Sequence, residues 1–456
     1  MTLNWKTFRG VAGYGDLVQR LRTGIESGEL AHGLRLPSQR RLAYELNLAV
    51  GTVTRAYQVA ERDGLIVSYV GRGSFVASPR AAGQTRGHQK DWSAEIDLSL
   101  DEPLEHLNPP LGEILRAIAA DGVGHSLLDY HNAGWTDRHR AIGAQWVAEF
   151  GHRVAPDAVT VCAGAQHAIL CSLSVCCRPG DVVMVEELSY PGFRRAAEML
   201  GLRMEPVRLD SHGVIPAAIE DICTKQTPKA LYLTPSVQNP TNCQLNAARR
   251  ARVAELAERY DFAVIEDEVR PRSAVPAPPP IATLIPDRVF LIAGISKTLG
   301  GGLRAAFLAV PEKWRNLAPG AVWASIYVTS FINAEIAARM IESGLAARVS
   351  EAKVREAARR CALAERHLGH LDLRMHPGST VAWLALPDGW TNAAAVTAVR
   401  DRGVSVVPAD IFWNGRTPPP LGLRISLGAP RTIEALETGL VRIADTLSSR
   451  PVAMRM

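Results

Sequence analysis

Apolar residues recur at helical spacing through the first sixty positions, then give way to short alternating runs. Leu17, Val18, Leu21 and Ile25 mark one face of a helix over about residues 15–27. Leu36-Pro37-Ser38 reads as a helix start with Ser38 as N-cap. Leu42, Ala43 and Leu46 give that helix its buried face, and Asn47 suits a left-handed stop. Val53, Ala56, Tyr57 and Ala60 fall at i, i+3, i+4 and i+7, so a third helix follows and ends at Asp63-Gly64. Its other face carries Thr52, Thr54, Arg55 and Gln58, short or forked hydrogen-bonding groups. Two β-like runs, 65–69 and 74–76, flank Gly71-Arg72-Gly73, which reads as a hairpin turn with a basic tip. Three helices and a hairpin predict an α+β winged helix-turn-helix over residues 11–77. Its third helix would enter a major groove, and its wing would touch the backbone.

Residues 78–92 are small, polar and basic with no periodicity, and read as a flexible linker. About 15 such residues have an end-to-end distance on the order of 20 Å. From 93 to 450 the pattern changes again. Strand-like runs at 159–161, 182–185, 230–233, 263–265 and 289–292 alternate with helical stretches such as 247–260. That alternation predicts a mostly parallel α/β sheet, whose ligands sit at the carboxyl ends of the strands.

Several of those ends carry chemistry. After the run 289–293 come a small-residue turn, Lys297, three glycines and Arg304. A lysine at the mouth of a sheet can form a Schiff base with an aldehyde where the ammonium form is disfavoured, and an arginine offers a planar fork to a phosphate. Together they point to pyridoxal phosphate. Ala163-Gly164-Ala165-Gln166 follows a strand and opens a helix, so its N–H groups suit the same phosphate. Tyr190 offers a face to a flat ring, Asn239 an amide to a phenolic oxygen, and Asp267 a carboxylate to a pyridine nitrogen. Arg424, in the short run 422–426, can grip a ligand carboxylate bidentately. Each alone has a structural explanation as turn, cap or packing residue; it is their order that carries the reading.

Composition changes the picture in three places. Of the 51 Lys and Arg against 46 Asp and Glu, residues 1–90 hold 13 against 6, so the whole basic excess lies in the front segment, which suggests a nucleic-acid partner there, or simply a small basic domain. No run of about 18 apolar residues predicts a membrane span, and the start MTLNWKTFRG lacks a signal-peptide core. Seven scattered cysteines with no CxxC pair fit reduced thiols in a cytoplasm, and twelve histidines without HExxH spacing give no expectation of a metal.

The front residues 36–43, Thr52-Val53, Ala56-Tyr57, 64–66 and 71–76 resemble the GntR-type winged helix domain of bacterial transcription regulators. The resemblance implies operator contacts by Arg40, Arg41, Thr52, Arg55 and the wing tip, Arg72. Ala49-Val50 stand where that family usually has Ser-Arg. The order of the later motifs resembles the fold-type I aminotransferases. That implies an internal aldimine on Lys297, a pyridine-nitrogen contact by Asp267, a phenolic-oxygen contact by Asn239 and ring stacking by Tyr190. It also implies phosphate contacts by Gly164, Ala165, Gln166, Ser296 and Arg304, and a substrate carboxylate on Arg424. Tyr130 looks like the tyrosine that reaches a partner subunit's phosphate, implying a homodimer. The family's usual tyrosine two or three residues after the aspartate is absent, since Val269 and Arg270 stand there. That weighs against turnover, and so against an enzyme.

Winged head, linker and fold-type I PLP-dependent transferase-like body together resemble the MocR subfamily of regulators. The resemblance implies a cytoplasmic regulator that binds operator DNA and senses PLP, an amino acid or an amine. The alternatives are a working aminotransferase with a DNA-binding appendage and a cofactor-free dimerisation scaffold.

Overall fold

A computed structural model describes residues 11, 13–26, 29–30, 34–62, 65–69, 73–76, 94–130, 133–269 and 277–449. The expected linker 78–92, the wing tip Arg72, the third helix's end at Asp63-Gly64 and Arg270 lie outside them. The chain divides into two units, Met1–Gln89 and Lys90–Met456.

The first unit has helices Tyr14–Glu26, Gln39–Leu46 and Val50–Arg62, then strands Ile66–Tyr69 and Gly73–Val76. Ser38 caps the second helix by accepting the Arg41 N–H at 3.3 Å, a contact worth about 1 kcal/mol. Asn47 ends it in the left-handed region (φ 52°), its N–H returning to the carbonyls of Ala43 and Tyr44. Leu17, Leu21, Leu42, Val53, Ala56 and Tyr57 form the core. The buried Tyr57 phenol donates to the Pro37 carbonyl at 2.9 Å, which satisfies it and ties the third helix to the chain before the second. The hairpin is antiparallel, with Ile66 opposite Val76 and Tyr69 opposite Gly73.

The second unit holds a seven-stranded sheet in the order Val159–Cys162, Ala306–Ala309, Val289–Gly294, Ala263–Glu268, Pro228–Leu233, Val182–Glu186, Arg203–Val207. Ala306–Ala309 runs antiparallel to both neighbours; the other adjacent pairs are parallel. The central strands are buried on both faces, as a covered parallel sheet requires. Their residues alternate between two cores. Leu231, Val264 and Leu291 face one, with helix Ala247–Tyr260 over them; Tyr232, Ile265 and Ile292 face the other, under helix Ala165–Cys176.

A smaller antiparallel sheet, Leu373–Arg374, Val381–Ala385, Gly422–Ser426 and Val407–Pro408, forms a third core with helices Leu345–Leu368 and Ile433–Ser448. It presents Arg424 from its own middle. Among the described residues no helix is long and apolar enough to cross a membrane.

Candidate functional site

Lys297 stands where strand Val289–Gly294 runs into the short helix Ser296–Leu299, so a helical turn follows the strand where the sequence suggested a small-residue turn. The Trp146 indole N–H donates to the Gly294 carbonyl at 3.3 Å and fixes the strand's end. The Lys297 Nζ lies 2.6 Å from Asp101 Oδ2 and also donates to the Asp101 carbonyl. The Thr380 hydroxyl donates to the other oxygen of that carboxylate at 2.9 Å and orients it.

Asp267 lies inside strand Ala263–Glu268 rather than just beyond it, because the strand runs three residues past the apolar run. It pairs in register with Ile292 of the lysine's strand, so carboxylate and amine share one end of the sheet. One oxygen, Oδ2, accepts from the Tyr232 hydroxyl at 2.8 Å, while the buried Oδ1 has no hydrogen-bond partner among the described residues. Burial pushes the Asp267 carboxyl up to about 6, against the pull of the Tyr232 hydrogen bond and the Lys297 charge. A buried carboxylate oxygen without a donor is the acceptor that a protonated pyridine nitrogen needs.

The expected phosphate turn is also assembled. Gly164 precedes helix Ala165–Cys176 with φ 88°, and a Cβ there would meet Arg304 Nη2 at 2.6 Å. Glycine is therefore needed both for the backbone and for the guanidinium that crosses it. Arg304, itself in the left-handed region (φ 45°), reaches the Ala163 carbonyl at 3.5 Å. Gln166 donates to the Gly192 carbonyl at 2.8 Å and keeps a buried Oε1 without a partner among the described residues. Ser296 opens the lysine's helix. Behind the turn, His167 Nδ1 accepts the Ala163 N–H at 3.0 Å, and the ring's Nε2 meets Ser325 Oγ at 2.7 Å and Cys171 Sγ at 3.3 Å. Cys162, His167 and Cys171 bring their ligand-type atoms within 4.8 Å of one another, a cluster that sequence spacing did not show. With Nδ1 accepting from backbone, the ring carries its proton on Nε2 and buttresses the turn.

Arg424 is buried. Its Nη2 donates to the Ser99 carbonyl at 2.7 Å, its Nη1 reaches Asn239 Oδ1 at 3.4 Å, and its guanidinium lies 4.8 Å over the Phe412 ring. Its Nε has no partner among the described residues, and burial pulls its pKa down. Tyr190 precedes helix Pro191–Met199 and sits within electrostatic range of Asp267, Arg304, Arg424 and Asp101; burial pushes its phenol up to about 12. Lys297, Asp267, Asn239, Tyr190, Gly164, Gln166, Arg304 and Arg424 are thus gathered at one end of the sheet. Tyr130 stands apart, 73% exposed and packed edge-on against Tyr327 at 5.4 Å. Val269 is aliphatic and lies against Gly294, so no hydroxyl is available at that position.

The residues present fit pyridoxal phosphate. Arg304, Ser296 and the N–H groups after Gly164 supply an anion cradle, Asp267 Oδ1 an acceptor, and Lys297 a primary amine.

In the first unit Arg40, Arg41, Arg55 and Gln58 are exposed, and Thr52 and Thr54 are half-buried. Thr54 donates to Gln39 at 2.8 Å, and Arg55 lies 4.4 Å over the Tyr14 ring. The third helix's polar face is therefore partly held by its own unit.

Sequence reasoning missed four contributors: Asp101, Tyr232, Ser99 and Phe412. Tyr232 left a signal, one hydroxyl in the otherwise apolar run 230–233. Asp101 left none, since it sits in an aperiodic segment far from the lysine in sequence.

Comparison with known proteins agrees with this fold. Residues 96–443 match the family described as aminotransferase class I and II, and residues 13–76 match the bacterial regulatory proteins of the gntR family. The chain is 29% identical to the uncharacterized HTH-type transcriptional regulator YdeF of Bacillus subtilis (strain 168) over 95% of each chain. It is 30% identical to the vitamin B6 salvage pathway transcriptional repressor PtsJ of Salmonella typhimurium over 90% of this chain and 93% of that one. It is also 26% identical to the probable rhizopine catabolism regulatory protein MocR of Rhizobium meliloti over 65% of each. Among solved structures, the kynurenine aminotransferase of Pyrococcus horikoshii superposes with a TM-score of 0.70 at 22% identity, over 77% of this chain and 90% of that one. LysN, the α-aminoadipate aminotransferase of Thermus thermophilus, superposes at 0.68 with 25% identity, over 78% and 92%. The chain belongs to the MocR subfamily of GntR-type transcription regulators, in which a winged helix-turn-helix is joined to a fold-type I aminotransferase domain.

Proposed function

We propose that this regulator captures pyridoxal phosphate on Lys297 and that occupancy of the large unit sets its affinity for operator DNA. The observation that carries the reading is the buried Asp267, whose Oδ1 lacks a donor, in register with the strand that delivers Lys297. Burying a carboxylate with one oxygen unsatisfied is costly unless a ligand supplies the missing donor.

Each residue then has a role. Lys297 provides the nucleophilic amine. Asp267, oriented by Tyr232, holds a proton on the pyridine nitrogen. Tyr190 packs on the ring, and Asn239 meets the phenolic oxygen. Gly164, Ala165, Gln166, Ser296 and Arg304 hold the phosphate, and Arg424 meets the carboxylate of an amino-acid effector. When bound, the cofactor supplies an electrophilic carbon for a primary amine, whether lysine or effector. With Val269 in place of a hydroxyl beside it, the site is equipped to bind and signal rather than to turn over. Tyr130, exposed on its own protomer, reaches the phosphate of a partner subunit in a homodimer. Arg40, Arg41, Thr52, Thr54, Arg55, Gln58 and Arg72 face the operator, and residues 78–92 tether the head.

The link between the two units is thermodynamic. A ligand that prefers one arrangement of the dimer changes DNA affinity by its differential binding free energy and no more. PtsJ, by its name, represses a vitamin B6 salvage pathway, which supports the vitamin itself as signal. Purified protein mixed with pyridoxal phosphate should develop a visible absorbance band that Lys297→Ala abolishes. Operator affinity should change with the vitamin in the wild type and not in that variant. No band would favour the scaffold reading, and multiple-turnover keto-acid formation would favour the enzyme.

A further inference from the structure

Asp101 engages Lys297 twice, through its carboxylate at 2.6 Å and through its own carbonyl. Both side chains are mostly sheltered, at 21% and 16% exposure, so solvent screens the pair only partly. The Thr380 hydroxyl fixes the second carboxylate oxygen. Two residues earlier in the same segment, the Ser99 carbonyl takes Arg424, and the Ser99 amide and hydroxyl are pinned by Asp97 at 2.8 and 2.6 Å. The acceptors facing the lysine are therefore built on an anchored segment. The proposed roles leave Asp101 without one.

We infer that Asp101 is a built-in competitor for Lys297, placed to keep vitamin capture weak and reversible so that the protein reports vitamin concentration. This rests on the reading of Lys297 as the capturing amine and refines it by specifying how that amine is held in check. Capture requires the lysine nitrogen to bond to the aldehyde carbon while the aldehyde oxygen leaves as water. Only the free amine has the lone pair to begin. The ammonium must first surrender a proton, and the Asp101 carboxylate in contact favours the charged form that keeps it. Every molecule whose lysine is paired with Asp101 is out of reach of the aldehyde, and apparent affinity falls in proportion to the competent fraction. An enzyme that keeps its cofactor permanently has no use for such a competitor, whereas a sensor must release its signal when the concentration drops.

The other charged groups around the lysine do not substitute for Asp101. Asp267 acts on Lys297 through space and is bonded to Tyr232. Arg304 and Arg424 are cations, and Tyr190 is a phenol held protonated by burial. Lys353, from the helix packed against the lysine's own, is bonded to Asn108 at 2.8 Å.

The test uses the full chain and pyridoxal phosphate alone. Equilibrium titration by visible absorbance and loss of the band on dilution are compared in wild type, Asp101→Asn and Thr380→Val. An opposite charge in contact shifts a proton equilibrium by roughly one to three pH units. Asp101→Asn should accordingly bind the vitamin about tenfold or more tightly near neutrality, release it more slowly, and capture it at lower pH. Thr380→Val, which only loosens the carboxylate, should move the same way by a smaller factor. Unchanged affinity and pH profile in both variants, or weaker binding, would overturn the inference. That outcome is distinct from failure of the underlying reading, in which the wild type itself forms no adduct at Lys297.

Discussion

Tyr232→Phe removes one hydroxyl and keeps the ring stacked on Phe193 at 4.4 Å, so it isolates a single hydrogen bond. That bond, 2.8 Å to Asp267 Oδ2, is the one side-chain donor to a buried carboxylate already pushed up to about 6. A hydrogen bond to a buried charged group contributes ~1.5–3 kcal/mol, which corresponds to about one to two pH units. Without it the Asp267 carboxyl rises further. The sign follows from its raised folded value. The unfolded carboxyl ionises near 4, so the folded chain loses stability as pH climbs from about 4 to about 6 and is level above that. In the variant this loss extends one to two units further. Urea denaturation of the full chain should match wild type at pH 5 and be weaker by roughly 1.5–3 kcal/mol at pH 8. Pyridoxal phosphate binding adds a second readout, because a protonated pyridine nitrogen needs the ionised carboxylate. The midpoint of its pH dependence should move up by one to two units, with several-fold weaker binding at pH 7 that recovers by pH 9. A variant with the wild-type pH dependence in both assays would refute the role assigned to this hydroxyl.

Glu335 offers a test away from the site. Burial pushes its carboxyl up, but hydrogen bonds from His139, Arg339 and Arg138 more than offset this and hold it at about 2. Its contribution, roughly 3 kcal/mol, is present above its unfolded value near 4 and disappears as pH falls toward 2. Glu335→Gln should destabilise the chain at pH 7 and flatten the acid limb of its unfolding curve; an acid limb like that of wild type would contradict the assignment. In the head, Arg40→Ala with Arg41→Ala should weaken operator binding and reduce the slope of log affinity against log salt by about 2 per head. An unchanged slope would remove those arginines from the DNA face.

Much of this architecture was legible because it rests on periodicity. The helical spacing of Val53, Ala56, Tyr57 and Ala60 predicts the third helix, and Ser38 and Asn47 cap the second as their chemistry requires. The apolar runs 230–233, 263–265 and 289–292 became the central strands, as expected of a sheet covered on both faces. The antiparallel insertion of Ala306–Ala309 was not legible, because a buried strand reads the same in either direction. Lys297, Asp267 and Gly164 stand out in the sequence because each follows an apolar run, although Asp267 lies inside its strand. Their supports do not. Asp101 is distant in sequence from Lys297, Ser99 from Arg424, and Cys162, His167 and Cys171 converge only when helix Ala165–Cys176 packs back on its strand. Such contacts are made by tertiary packing and leave no local pattern.

The central claim is covalent capture of an aldehyde-bearing vitamin at one amine. Full-length protein is incubated with pyridoxal phosphate, reduced with borohydride and digested, and the adduct is located by mass spectrometry. The account predicts a single phosphopyridoxyl label on Lys297, absent from Lys297→Ala. A label on another lysine, or none on a folded chain, would contradict it.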